Sequence, residues 1–199
     1  MHPALPDATP PPREYRAIGG ACADAQIITS PGREPLPRVR VSCVCLGNIC
    51  RSPMAAALLR DRAKSLGVSM DVSSAGTSDW HPGRPAHPHA VAELFAHGIH
   101  LNHAARTFRA TDFADLDLVL AMDTKNVEHL HTLAPTRGDI AKIYLIRDFD
   151  RARPDNREVP DPYYGGAADY RRVFRMLNAA CLGLLARIRR DGPPPWPER

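Results

Sequence analysis

The sequence predicts an α/β fold: one three-layer domain in which a four-stranded, parallel sheet is flanked by helices. Three observations predict it. Strand-like and helix-like apolar patterns alternate between residues 38 and 190. The run 116–122 reads as an apolar strand of the kind that a parallel sheet buries on both faces. The stretch 41–53 begins as an apolar strand, breaks at Gly47-Asn48 and becomes a helix at Ser52-Pro53, where Ser can cap and Pro fits the first turn.

In chain order, residues 38–44 form the first strand. Residues 53–66 form a helix with Met54, Ala57, Leu58 and Leu66 on its apolar side and Gly67 as its stop. Residues 70–74 make the second strand and lead into Ala75-Gly76. Residues 89–97 are helical, with Val91, Leu94, Phe95 and then Ile99 at core spacing and Gly98 ending the turn. The third strand, 116–122, precedes a helix over 125–133, and 141–146 is the fourth strand. A Pro/Gly-punctuated loop, 147–166, follows. Tyr170, Val173, Phe174, Leu177, Cys181, Leu184, Leu185 and Ile188 then mark one long amphipathic helix. Residues 1–37 are rich in Pro and Gly without periodicity and read as a largely disordered extension. Residues 191–199 read as a Pro-rich tail, which places the folded domain at 38–190.

In such a sheet ligands bind beyond the carboxyl ends of strands, which is where the loop after the first strand lies. Cys45 ends that strand and Arg51 starts the next helix, with five residues between them. Loop N–H groups and the helix's positive end converge on one point, making a phosphate-binding loop with a thiol at its floor. Gly47 and Asn48 supply positive-φ geometry, and Arg51 can grip a phosphate through two parallel hydrogen bonds. The same field favours the thiolate of Cys45, the nucleophilic form. Spacing alone is cheap, because Cys181 and Arg187 share it. That second pair lies inside a helical run with no preceding strand, so Cys181 reads as a small buried hydrophobe.

Composition narrows the classes. The chain has 199 residues, a formal charge of +4 and 44% hydrophobic residues, with a mean hydropathy of −0.31. Its bases are mostly scattered Arg without a basic stripe, which argues against nucleic acid as partner. No apolar run approaches a membrane span, and the N-terminus lacks the basic-then-apolar order of a signal peptide. Five Cys, three of them between Cys43 and Cys50, make no disulfide framework, so a reducing, cytoplasmic setting is expected.

Five blocks in this order resemble the low-molecular-weight protein tyrosine phosphatases: 41–53, Ser73-Ser74-Ala75-Gly76-Thr77, His97-Gly98-Ile99, Ala121-Met122-Asp123 and Val159-Pro160-Asp161-Pro162-Tyr163-Tyr164-Gly165. The resemblance implies Cys45 as nucleophile, forming a phosphocysteine, with Arg51 binding the phosphoryl oxygens and Asp161 as general acid, then base. Leu46, Gly47, Asn48, Ile49, Cys50 and Ser52 would complete the phosphate-binding loop, with Ser74 and His103 supporting its shape. Trp80, Tyr163 and Tyr164 would line the substrate pocket. Cys50 would form a reversible disulfide with Cys45, and Ile49, where phosphoarginine-specific relatives carry Thr, points to phosphotyrosine. No cofactor or metal is implied. The expected partners are a phosphotyrosine-containing protein and a tyrosine kinase, for a monomeric enzyme.

Two other readings share the fold. A phosphoarginine phosphatase would use the same loop. A thioredoxin-coupled arsenate reductase would need a further cysteine pair downstream, where only Cys181 stands. His97, His100 and His103 invite a metal reading, but their steps cross the helix-ending Gly98.

Overall fold

The computed structural model describes residues 38–152 and 155–196. The extension 1–37, expected to be largely disordered, lies outside the described residues, as do 153–154 and 197–199.

Strand β1 (Val39–Cys45) is central. It pairs in parallel with β2 (Met70–Gly76) on one side and β3 (Leu118–Ala121) on the other, and β3 pairs in parallel with β4 (Ile143–Leu145). The order is β2-β1-β3-β4. Because side chains alternate along a strand, β1 feeds two cores. Val39, Val41, Cys43 and Cys45 join Met54 and Leu58 of α1 (Arg51–Ser65), Ala90 and Leu94 of α2 (Pro88–Phe95), and Leu177 and Leu184 of α5 (Ala167–Asp191). Val44 faces the other way, with Val119, Ala121, Leu130 of α3 (Thr124–Leu133) and Phe113 of the 3₁₀ turn Ala110–Asp115. Helices on both faces make the three layers. A one-turn helix, α4 (Arg137–Ile140), buries nothing and connects α3 to β4.

The structure redraws several boundaries. Helix α1 starts at Arg51, so Ser52 is a helical residue and not its cap. Strand β3 is shorter than 116–122 because Asp117 turns out to Arg40, accepting from its backbone N at 2.8 Å and pairing with its Nη2 at 3.2 Å. The fourth strand gives way at once to a 3₁₀ turn, Ile146–Phe149, part of which had read as loop. On α2 only Ala90 and Leu94 are buried, while Val91 and Phe95 are exposed, because this short edge helix turns one narrow face to the core. Leu66 is likewise exposed, although Gly67, at φ +66°, ends α1 as expected.

The expected C-terminal tail needs the largest correction. The chain leaves α5 at Gly192 (φ +83°), but Trp196 folds back and is only 7% exposed. Its ring packs on Phe149 and Tyr144, with centroids 5.7 and 6.1 Å away, and the Arg187 guanidinium lies 4.3 Å from its centre. Its Nε1–H donates to the Gly192 carbonyl at 3.1 Å. The prolines prevent helix but not docking, and one buried indole offsets the ordering of five residues. Trp196→Ala should therefore cost about 3 kcal/mol, read as a lower urea midpoint; an unchanged midpoint would return the segment to a free tail.

Candidate active site

Residues 45–51 carry the chain from the carboxyl end of β1 to the N-terminus of α1. Asn48 makes the tight turn possible, with φ 54°, a conformation that Asn tolerates better than most residues. Its side chain is 1% exposed and fully used: Nδ2 donates to Ser52 Oγ (2.9 Å) and Ser74 Oγ (3.0 Å), and Oδ1 accepts from the Arg106 backbone N (2.9 Å). Its carbonyl accepts from His103 Nε2 at 2.6 Å. Gly47 is not at positive φ; it is small because His81 lies where a Cβ would sit, 2.9 Å away. Gly76, at the end of β2, runs against the loop backbone so closely that a Cβ would stand 2.7 Å from the Leu46 carbonyl oxygen and 3.1 Å from Asn48 N.

Cys45 is 2% exposed, and its Sγ lies 3.0 Å from Ser52 Oγ. No side chain caps α1 and its first turn holds no acid, so its opening N–H groups remain available to an anion. Arg51, 3% exposed, has Nη1 on Asp123 (2.6 Å) and the Val159 carbonyl (3.2 Å), and Nη2 on Asp161 (2.6 Å). Burial by itself lowers the Arg51 pKa, but Cys45, Asp161 and Asp123 more than offset this, so the pKa is raised and the guanidinium stays charged. Its buried Nε–H has no acceptor. A buried charged donor left unpaired is costly, and an oxyanion in the cradle would satisfy it. Cys50 Sγ sits 3.2 Å from the Tyr170 hydroxyl, and burial above all pushes its pKa up to about 12.

The structure brings these groups together around a cavity of about 270 Å³. Cys45, Arg51 and the loop residues Leu46, Gly47, Ile49 and Cys50 line it, with Trp80, Asp161, Tyr163 and Tyr164 around them. Asn48, Ser52, Ser74 and His103 lie behind the loop and do not line the cavity. Trp80 is 68% and Tyr164 98% exposed, so they form a rim and not a packed wall. Sequence reasoning missed His81, which lines the same cavity, and Asp123. An acid at the end of a parallel strand that also caps the next helix (Oδ1 accepting from Asn126 N at 2.8 Å) was a readable signal for the latter. His97 stacks on Phe174 with centroids 3.9 Å apart, whereas His103 bonds the Asn48 carbonyl. Among the described residues no group of three or more His, Cys, Asp or Glu is placed to hold a metal ion.

Two outcomes follow from this geometry. Gly76→Ala should displace the loop and cut turnover at least about tenfold, because the obstacles are backbone atoms; an aryl phosphate assay reads it. Burial first, against the opposing hydrogen bond to Asn48, lowers the pKa of His103. The folded state therefore holds His103 neutral, and as pH falls through the unfolded value near 6.5 the unfolded chain takes up the proton first. Stability should therefore fall as pH drops below the unfolded value near 6.5, and His103→Asn should flatten that slope in urea titrations.

The chain is also similar to known proteins in sequence and in fold. The family described as low molecular weight phosphotyrosine protein phosphatase matches residues 40–193. A low molecular weight protein-tyrosine-phosphatase of Streptomyces coelicolor is 46% identical over 153 residues, covering 75% of this chain and 93% of that one. Among solved structures, a protein tyrosine phosphatase from Entamoeba histolytica superposes with a TM-score of 0.73 at 32% identity, covering 77% of this chain and 98% of that one. A Drosophila arginine phosphatase gives 0.70 at 30% identity, covering 74% and 96%. With the match running from the first strand to just past the last helix, the chain belongs to the low molecular weight phosphotyrosine protein phosphatase family.

Proposed function

We propose that this chain hydrolyses phosphotyrosine in proteins in two steps through a phosphocysteine intermediate. The observation that carries the reading is one cavity lined by the buried thiol of Cys45, by Arg51 and its loop, and by the carboxyl of Asp161. Cys45 Sγ attacks phosphorus, and an S–P bond forms as the P–O bond to the phenol breaks. Asp161 delivers its proton to the leaving oxygen. It then takes a proton from water, whose oxygen attacks phosphorus, breaks the S–P bond and releases phosphate. Loop N–H groups and Arg51 hold the charge that spreads over the equatorial oxygens. Ser52 Oγ, 3.0 Å from Sγ, can donate to the thiolate as attacking and as leaving group. Asp161 Oδ2 rests on Arg51 Nη2 in this structure; a phosphoryl group entering the cradle competes for that nitrogen and turns the carboxyl toward the leaving oxygen.

A thiol this deep favours a long, aromatic phosphoester, and Trp80 and Tyr163 offer ring faces for it. The likeness to an arginine phosphatase keeps phosphoarginine as the second reading; against it stands the apolar Ile49 in the cavity lining. We extend the reading to redox protection. Peroxide would oxidise Cys45 to the sulfenic acid, and the Cys50 thiol would condense with it, losing water and closing a disulfide. Both thiols line the cavity, which supports this. Cys43, Cys45, Cys50 and Cys181 are all free thiols, as a reducing compartment keeps them, which supports cytoplasmic residence. A monomer acting opposite a tyrosine kinase completes the proposal.

Cys45→Ser should lower turnover of an aryl phosphate at least about a thousandfold; unchanged turnover would remove the covalent mechanism. Peptides bearing phosphotyrosine, phosphoserine or phosphoarginine, assayed side by side, should be hydrolysed in favour of phosphotyrosine, and a preference for phosphoarginine would select the second reading. Mild peroxide followed by mass mapping should yield a Cys45–Cys50 disulfide, whereas sulfonic acid alone at Cys45 would refute protection.

A further inference from the structure

Asp161 belongs to the segment between residues 150 and 166, whose described residues form no helix or strand of their own. A general acid on such a segment needs a brace, since misplacing a proton donor by an ångström is costly. The structure holds one at the segment's root. Arg147, in the 3₁₀ turn after β4, is 8% exposed, and its Nη1 donates to two backbone carbonyls, Asn156 (2.7 Å) and Glu158 (3.1 Å). Nη2 reaches Asp150 at 3.5 Å. The next residue, Val159, is wholly buried; its N–H donates to the Met122 carbonyl at 2.8 Å, and its own carbonyl accepts from Arg51. Asp161 stands two residues further on.

The turn that carries Arg147 is itself fixed. A Cβ on Gly183 of α5 would overlap the Phe149 carbonyl, so helix and turn meet backbone to backbone. Trp196 and Tyr144 close on the Phe149 ring. Rigidity therefore passes from α5 to the turn, through one buried guanidinium to residues 156–158, and so to the acid. One nitrogen of this buried guanidinium takes two backbone carbonyls, so it holds the course of the segment itself and not merely one of its side chains.

We propose that Arg147 is a positioning residue for Asp161, so that its loss is felt in proton delivery and not in phosphate binding. This rests on the general-acid reading of Asp161. The test is a double-mutant cycle with two aryl phosphates, one with a good leaving group (p-nitrophenyl phosphate) and one with a poor one (phenyl phosphate). Arg147→Met should lower kcat on phenyl phosphate about tenfold and on p-nitrophenyl phosphate less than about threefold, with KM little changed. Added to Asp161→Asn it should cause no further loss, because the carboxyl through which it acts is gone. Equal losses on both substrates, or a full additional loss in the double variant, would overturn the proposal. Arg147→Lys, which keeps the charge but not the fork, serves if the Met variant does not fold, and should show the same leaving-group bias. Asp161→Asn alone separates the two claims: without a leaving-group bias of its own the acid reading fails, and with one only Arg147 is at stake.

Discussion

The structure depends on the left-handed turn at Asn48. An L-residue in that conformation costs about 1 kcal/mol or more, and Asn48 makes four hydrogen bonds, to Ser52, Ser74, Arg106 and His103. At about 1 kcal/mol each in a buried setting, they outweigh the strain. With the turn in place, the buried Cys45 and the loop residues Leu46, Gly47, Ile49 and Cys50 line one cavity. The partners come from α1, the end of β2 and the segment after α2, so the loop has its shape only when the sheet and both helices are assembled.

Electrostatics then divide the work. Arg51 is nearly inaccessible yet faces two carboxylates, Asp123 and Asp161, at 2.6 Å each. A buried ion pair rarely adds much net stability, because desolvation cancels most of the attraction. The arrangement makes better sense as preorganisation. Asp123, which also caps α3, aims one edge of the guanidinium, and the remaining N–H groups are left for an incoming anion. Asp161, 40% exposed at its side chain, is the movable partner of the pair.

The C-terminal helix has two roles. Its apolar stripe covers one face of the sheet, and its backbone at Gly183 fixes the turn from which the acid-bearing segment departs. Trp196 locks that turn from outside. Stability and chemistry thus share contacts: residues that bury apolar area also determine where a proton donor stands.

By itself the sequence determined the layered α/β class, the strand-loop-helix at 41–53 and the pairing of thiol and arginine on it, because these follow from local periodicity and spacing. It also placed a long helix at the end, since one apolar stripe is legible without partners. Only the tertiary structure decided what meets across the sheet. Asp123 became a partner of Arg51, Gly47 and Gly76 proved small because backbone or His81 crowds them, and Trp196 turned from tail to core. Apart from the helix-capping position of Asp123, these contacts have no local signature: each joins segments tens of residues apart and is fixed by strand order and by which face a helix presents. Cys45 could be read from its neighbours, but Asp161, 110 residues from Arg51, reaches it only through the fold.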